Sequence, residues 1–270
     1  MSNDNSTKVK ALFNNIWLNY LDVTPSAQQL HNLLGSGTDL INDHVAYRTF
    51  NSEKVNLTQL ALHLIDLGYK ECGEYHFDSK NLYAKHFEHS DPLLPKVFIS
   101  ELLVEKFSPK IQAIIHNLVD SVQPEAVTQD NFLYSGTHWK ISYADYKILL
   151  AESEYAAWLS AWGYRANHFT VSINHLQNYD NIFAVNAAVK AGGFSLNTAG
   201  GEVKGDQEVM LEQSSTLADH IEVNFTDKTV AVPSCFYEFA KRYPLSNGKL
   251  YTGFVAASAD KIFESTNVTA

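Results

Sequence analysis

Asp43-His44-Val45-Ala46-Tyr47-Arg48-Thr49-Phe50 alternates polar and apolar residues with the two-residue period of a strand. His44, Ala46 and Arg48 therefore share one face. At ~3.3 Å per residue this sets a potential metal ligand roughly 13 Å from a fixed cation, a spacing suited to a metal and the far end of a small dianion. Taken alone, a half-buried strand with a hydrogen-bonded His and a surface Arg is the simpler reading. A second stretch, Asn167-His168-Phe169-Thr170-Val171-Ser172-Ile173-Asn174, changes the balance. Here His168, Thr170, Ser172 and Asn174 form a polar face fit to line a cup, and Phe169, Val171 and Ile173 form an apolar face fit to pack on a helix.

Each stretch opens a similar run of elements. After the first, Leu57, Leu60, Ala61, Leu64 and Ile65 mark an amphipathic helix stopped at Gly68, and strands follow around residues 74–77, 82–87 and 97–103. After the second, a helix over 181–190 ends at Gly192-Gly193, and strands continue through Phe225 and Glu238. Gly68-Tyr69 and Gly193-Phe194 fall at matching distances from His44 and His168. Pro95-Lys96-Val97-Phe98-Ile99-Ser100-Glu101 likewise answers Pro233-Ser234-Cys235-Phe236-Tyr237-Glu238. The expected fold is α+β, with two fused βαβββ-like modules forming one curved sheet. The expected organisation is a single domain over 1–270, comprising a helical segment (1–40), the first module (41–104), a helical linker (105–163), and the second module with a C-terminal segment (164–270). In the first segment, Val9, Leu12, Phe13, Ile16, Trp17 and Tyr20 predict one helix, and Thr24, Pro25 and Gly35 bracket a second; together they would form a lid or buttress. In the linker, Ile111 to Val119 and Tyr143 to Trp162 read as helical, with Trp139, Trp158 and Trp162 as packing residues.

The 270 residues, 45% hydrophobic, support a substantial core. A net charge of -10 argues against a nucleic-acid partner, which needs clustered Lys and Arg, but leaves room for a small anion at a locally basic site. Met1 to Lys10 is polar and no apolar run approaches the ~20 residues of a membrane span, so a soluble cytoplasmic protein is expected. Cys72 and Cys235, the only cysteines, are expected to be buried thiols. No G-x-S-x-G, phosphate loop or dinucleotide glycine fingerprint is present.

Two modules side by side would bring His44 and His168 together, and one carboxylate would complete a site. Two His and one carboxylate on one face of an octahedron leave three positions open, the arrangement of non-haem Fe(II) oxygenases. Glu238, which is expected to end the last strand of the second module, is the preferred carboxylate, with Glu101, its counterpart in the first, as the alternative. A surface acid at a strand end is the ordinary state of either. His86 and His89 are expected to be exposed, His63 solvated, and His138 and His220 structural; Asp43 is expected to point outward, without chemistry.

With Gln213-Ser214-Ser215, Phe236-Tyr237-Glu238 and Phe254 to Ser265, the two histidine stretches give a sequence that from about Asn42 onward resembles the bacterial 2-oxoadipate dioxygenase/decarboxylase family, also called 2-hydroxyglutarate synthase. The resemblance implies a vicinal-oxygen-chelate-like fold and Fe(II) held by His44, His168 and Glu238. It implies that His44 and His168 also face the substrate, that Arg48 binds and orients a substrate carboxylate during catalysis, and that Ala257 and Ser258 line the substrate pocket. The implied partners are a 2-oxo acid and O2, with oxidative loss of CO2 and hydroxylation of the shortened acid in the same pocket. The chain is shorter than the characterised type and carries Ala257 where that type has a larger residue, so the substrate's length is left open. A glyoxalase-type lyase or isomerase, or a binding protein without turnover, are the competing functions, because function belongs to the site rather than the fold.

Overall fold

In the computed structural model, residues 3–35, 37 and 39–267 are described. The first two helices are α1 (Asn3–Leu21) and α2 (Pro25–Gly35), so Gly35 is the last residue of its helix rather than the one beyond it. The first module follows as β1 (Asn42–Phe50), α3 (Leu57–Ile65), β2 (Lys70–Phe77), β3 (Leu82–Glu88) and β4 (Lys96–Leu102). Helices α4 (Pro109–Asp120), α5 (Pro124–Val127), α6 (Tyr143–Glu152) and α7 (Glu154–Trp162) lead to the second module. That module comprises β5 (Ala166–Ser172), α8 (Ile182–Ala191), β6 (Lys204–Asp206), β7 (Leu211–Ser215), β8 (His220–Asn224), β9 (Thr229–Pro233) and β10 (Phe236–Arg242), and α9 (Ala256–Ile262) comes after it.

The modules are copies of one plan. Eight strands form one curled sheet in the order β2-β3-β4-β1-β5-β10-β7-β6. The first strands, β1 and β5, pair antiparallel at its centre, and each is flanked by the last strand of its own module in parallel, β4 beside β1 and β10 beside β5. Local signals repeat as well. Asn56 caps α3 by accepting from Gln59 N–H, and Asn181 caps α8 by accepting from Ala184 N–H. Gly68 (φ 100°) and Gly193 (φ 88°) then end the two helices in the left-handed region, where a Cβ would be strained, and the next N–H (Tyr69, Phe194) turns back to the carbonyl of Leu64 or Val189. The second module departs from the first by an inserted hairpin, β8–β9, which forms its own two-stranded sheet.

Helices cover the convex side. Trp17 and Tyr20 of α1 pack on Phe169, whose neighbours His168 and Thr170 face the other way, with ring centroids 5.0 Å apart in both cases. The Tyr20 hydroxyl donates to the Phe236 carbonyl, so α1 is a buttress behind the sheet. Residues 143–162 are not one helix: Ser153 adopts an extended conformation and its hydroxyl accepts from Ala156 N–H, ending α6 and capping α7. The three linker tryptophans are anchored by their indole N–H groups, Trp139 to the Ser160 carbonyl, Trp158 to that of Ser234 and Trp162 to that of Pro233. Cys235 is buried, but Cys72 is exposed, because it occupies the register shift between Glu71 and Gly73 in edge strand β2.

Candidate metal centre

The centre of the sheet fixes the site. In the β1–β5 ladder His44 lies opposite Thr170 and Ala46 opposite His168, so the two imidazoles are diagonal neighbours on one face. Glu238 lies beside Thr170 in the β5–β10 ladder and joins them on that face. Its Oε1 is 3.6 Å from His44 Nε2 and its Oε2 3.1 Å from His168 Nε2. All three side chains are buried, Glu238 completely.

Each imidazole is oriented by the residue before it. Asp43 Oδ1 lies 2.8 Å from His44 Nδ1, and Asn167 Oδ1 lies 3.0 Å from His168 Nδ1, so both Nε2 atoms are turned toward the shared space. Asp43 is itself fixed by Arg242, whose Nε donates to Oδ2 at 2.7 Å and whose Nη2 donates to Oδ1 at 2.9 Å. Arg242 Nη1 in turn donates to the Tyr251 and Gly253 carbonyls. Asp43 therefore does not point outward: it is buried and supports a ligand. Sequence reasoning missed Arg242, although an Arg four residues past Glu238 on the same strand lies on the same face by the period of two.

Whether a metal fits can be judged from the donors. Burial opposes ionisation of Glu238, but His44 and His168 outweigh it and hold the carboxyl below its usual range, whereas burial pushes the His168 imidazole down. Glu238 Oε1 accepts from Gln213 Nε2 at 2.6 Å, whereas Oε2 is buried without a hydrogen-bond partner. A buried carboxylate facing two imidazole nitrogens suits a divalent cation, and His44, His168 and Glu238 offer donor atoms within 4.8 Å of one another.

Glu101 does not join this group. Glu238 sits in β10 opposite the residue two past His168, and the position with that relation to His44 in β4 is Phe98, opposite Ala46. Glu101 is three residues further on, so it faces away and accepts from Leu57 N–H at 2.9 Å, at the start of α3. Nor does Glu238 end its strand, since β10 runs four residues past it, to Arg242.

A cavity adjoins the three ligands and includes Arg48, Phe98, Ser100, Phe254, Ala259 and Phe263 in its lining. Arg48 is no surface residue, at 1% exposed. Its Nη1 donates to Glu154 Oε1 at 3.1 Å and Oε2 at 3.3 Å, and its Nη2 to Thr266 Oγ1 at 2.9 Å. Its Cζ lies 4.9 Å from the Tyr155 ring centroid and 5.0 Å from that of Trp158. Ala257 and Ser258 lie outside the lining: Ala257 is exposed and Ser258 is buried against Gly205. From α9 and the turn after it, Ala259, Ile262 and Phe263 face the cavity instead, at the three- and four-residue spacing of one helical face.

The other histidines singled out from the sequence lie apart from the His44-His168-Glu238 group. His86 is buried rather than exposed: its Nδ1 is 2.9 Å from the Tyr75 hydroxyl and its Nε2 3.0 Å from Glu88. The Tyr75 hydroxyl accepts from Phe254 N–H, and the Phe254 ring stands edge-on 4.8 Å from that of His44, so this chain of bonds positions one wall of the cavity. His89 is half-buried, His63 bonds the Val127 carbonyl rather than water, and His138 bonds Ser135.

A family model described as 2-oxoadipate dioxygenase/decarboxylase matches residues 4–251. The chain belongs to that family. A 2-oxoadipate dioxygenase/decarboxylase of Oryza sativa subsp. japonica, chloroplastic/amyloplastic, is 35% identical over 92% of this chain and 76% of its own length. The crystal structure of hydroxyglutarate synthase from Oryza sativa, in complex with 2-oxoadipate, matches at a TM-score of 0.93 and 33% identity, covering 100% of this chain and 95% of that one. A protein of Shewanella frigidimarina NCIMB 400, provisionally described as a hydrolase, matches at a TM-score of 0.90 and 62% identity over 92% of this chain and 98% of its own. The fold is shared with a glyoxalase-superfamily structure from Ralstonia eutropha JMP134, at a TM-score of 0.75 and 24% identity over 93% of this chain and 87% of that one. The chain is thus an oxidoreductase, and its His-His-Glu group is a possible site for the metal that its dioxygenase relatives imply.

Proposed function

We propose that this protein is an Fe(II)-dependent dioxygenase/decarboxylase that converts a 2-oxo acid of the 2-oxoadipate kind and O2 into the 2-hydroxy acid one carbon shorter and CO2. The observation that carries this is the buried His44-His168-Glu238 group beside a cavity with a fixed cation, in a chain of this family. Two imidazoles and one carboxylate would hold iron, and bound iron would supply the redox chemistry that activates a 2-oxo acid and oxygen.

The chain's own residues do the rest. His44, His168 and Glu238 hold the metal, and Asp43 and Asn167 aim the imidazoles. Arg48 takes the distal carboxylate and orients the acid, since a guanidinium stays charged and matches a carboxylate with two parallel bonds. Phe98, Phe254 and Phe263 keep water from the reacting carbons. The stoichiometry closes: the C1 carboxyl leaves as CO2 with its own two oxygens, and the two atoms of O2 enter the product as one carboxylate oxygen and one hydroxyl oxygen.

Protein reconstituted with Fe(II) without air should take up oxygen on addition of 2-oxoadipate, one O2 per CO2 released, and uptake should fall for shorter or longer 2-oxo acids. Arg48→Ala should raise KM for dicarboxylic 2-oxo acids without changing metal content. Turnover independent of oxygen would replace this reading with a lyase or isomerase; metal binding without turnover of any 2-oxo acid would leave a binding protein.

A further inference from the structure

The cation assigned to the substrate's distal carboxylate already has a carboxylate partner. Arg48 Nη1 is forked onto both oxygens of Glu154, the first residue of α7, whose side chain is 24% exposed against 1% for Arg48. The guanidinium cannot swing away from the cavity. Thr266 Oγ1 accepts from Nη2 and donates onward to the Phe263 carbonyl, and Tyr155, Trp158 and Phe263 pack around the guanidinium. The Arg48 Nε, buried, has no hydrogen-bond partner. Glu154 stands at the water's edge, lining a neighbouring cavity, and Phe263 lines both cavities. Lys80, in the wall of that second cavity, is paired with Glu264, so Arg48 is the cation that Glu154 engages.

We propose that Glu154 is the residue that sets how strongly this site prefers a second carboxylate over an apolar tail, because it competes with the substrate's distal carboxylate for Arg48. The inference rests on the assignment of Arg48 made above. In the free protein a buried guanidinium needs a counter-charge, and Glu154 supplies it. When a dicarboxylic acid enters, two carboxylates share one cation, and their repulsion opposes binding. A monocarboxylic 2-oxo acid of the same length leaves the Arg48–Glu154 pair intact and is indifferent to it. Glu154 is thus a positioning and specificity residue that need not touch the reacting carbons.

The test uses metal-loaded full-length protein and two readouts. Calorimetry with glutarate, which has two carboxylates and no keto group, reads the Arg48 subsite without turnover. KM for 2-oxoadipate against 2-oxohexanoate reads discrimination. Glu154→Gln should bind glutarate roughly tenfold more tightly than wild type, the scale expected when one nearby like charge is removed at a partly screened site. It should also lower KM for 2-oxoadipate while leaving that for 2-oxohexanoate unchanged. Glu154→Asp should behave as wild type, and Arg48→Ala/Glu154→Gln should lose the gain; Glu154→Ser repeats the neutral test if the Gln variant does not fold. Equal or weaker glutarate binding by the neutral variants, equal changes for both 2-oxo acids, or no glutarate binding by any variant would overturn the proposal. Failure of the oxygenase reading shows separately, as absence of oxygen uptake by wild type, and leaves the glutarate result standing or falling on its own.

Discussion

At the residue scale the site depends on one backbone period applied three times. His44, His168 and Glu238 meet because each lies on the same face of a strand, and the strands are neighbours. The histidines were legible from alternation alone, since both stretches place an imidazole on the polar side. The supporting residues were not. Asp43 looked outward by strict alternation, but its carboxylate reaches back to its neighbour's Nδ1 because Arg242 draws it there, a contact across 199 residues of chain. Asp43→Asn should therefore weaken metal affinity by roughly 10- to 100-fold, the usual effect of losing a ligand's orienting partner. It should also cost about 3–5 kcal/mol of stability, because Arg242 is left buried and unpaired. Metal content after dialysis and denaturant melts read the two effects. Glu101→Gln should leave metal content unchanged and cost about 1 kcal/mol, the value of a helix-start hydrogen bond.

At the scale of elements, the register within each ladder decided what the sequence could not. Pro95 to Glu101 and Pro233 to Glu238 look like counterparts, yet in the ladders Glu238 corresponds to Phe98, and the three-residue offset sends Glu101 to the opposite face. The break at Ser153 was equally hidden, because no Gly or Pro marks it and the serine acts only as a cap. Edge strand β6 carries a testable charge. Lys204 is buried, donating to the carbonyl of Asn197, and burial lowers its pKa from the ordinary lysine value to about 8. Between that pH and the ordinary lysine range the unfolded chain binds the extra proton, so this group's contribution to stability rises with pH over that window. The difference in stability between wild type and Lys204→Gln should accordingly grow in favour of wild type from pH 8 to about 9.5. Urea melts at each pH measure it, and a flat difference would mean that Lys204 is solvated.

At the scale of the whole molecule, the paired modules would make a metal part of the fold. The proposed ligands come from β1, β5 and β10, so a cation bound there would clamp the central ladders of both halves. Among the described residues no helix is long and apolar enough to cross a membrane. A ligand at 100 times its Kd adds about 2.7 kcal/mol. Stripping metal with a chelator should then lower Tm by several degrees for wild type and by nothing for Glu238→Gln. The repeat itself was legible from the paired glycine-aromatic stops and strand tails, whereas the β8–β9 insertion left no mark in that pattern. The most direct measurement is turnover of 2-oxoadipate under 18O2 by iron-loaded protein, with mass analysis of both products. The account predicts that label enters the 2-hydroxy acid and none appears in CO2; an unlabelled acid, or undiminished turnover without oxygen, would contradict it.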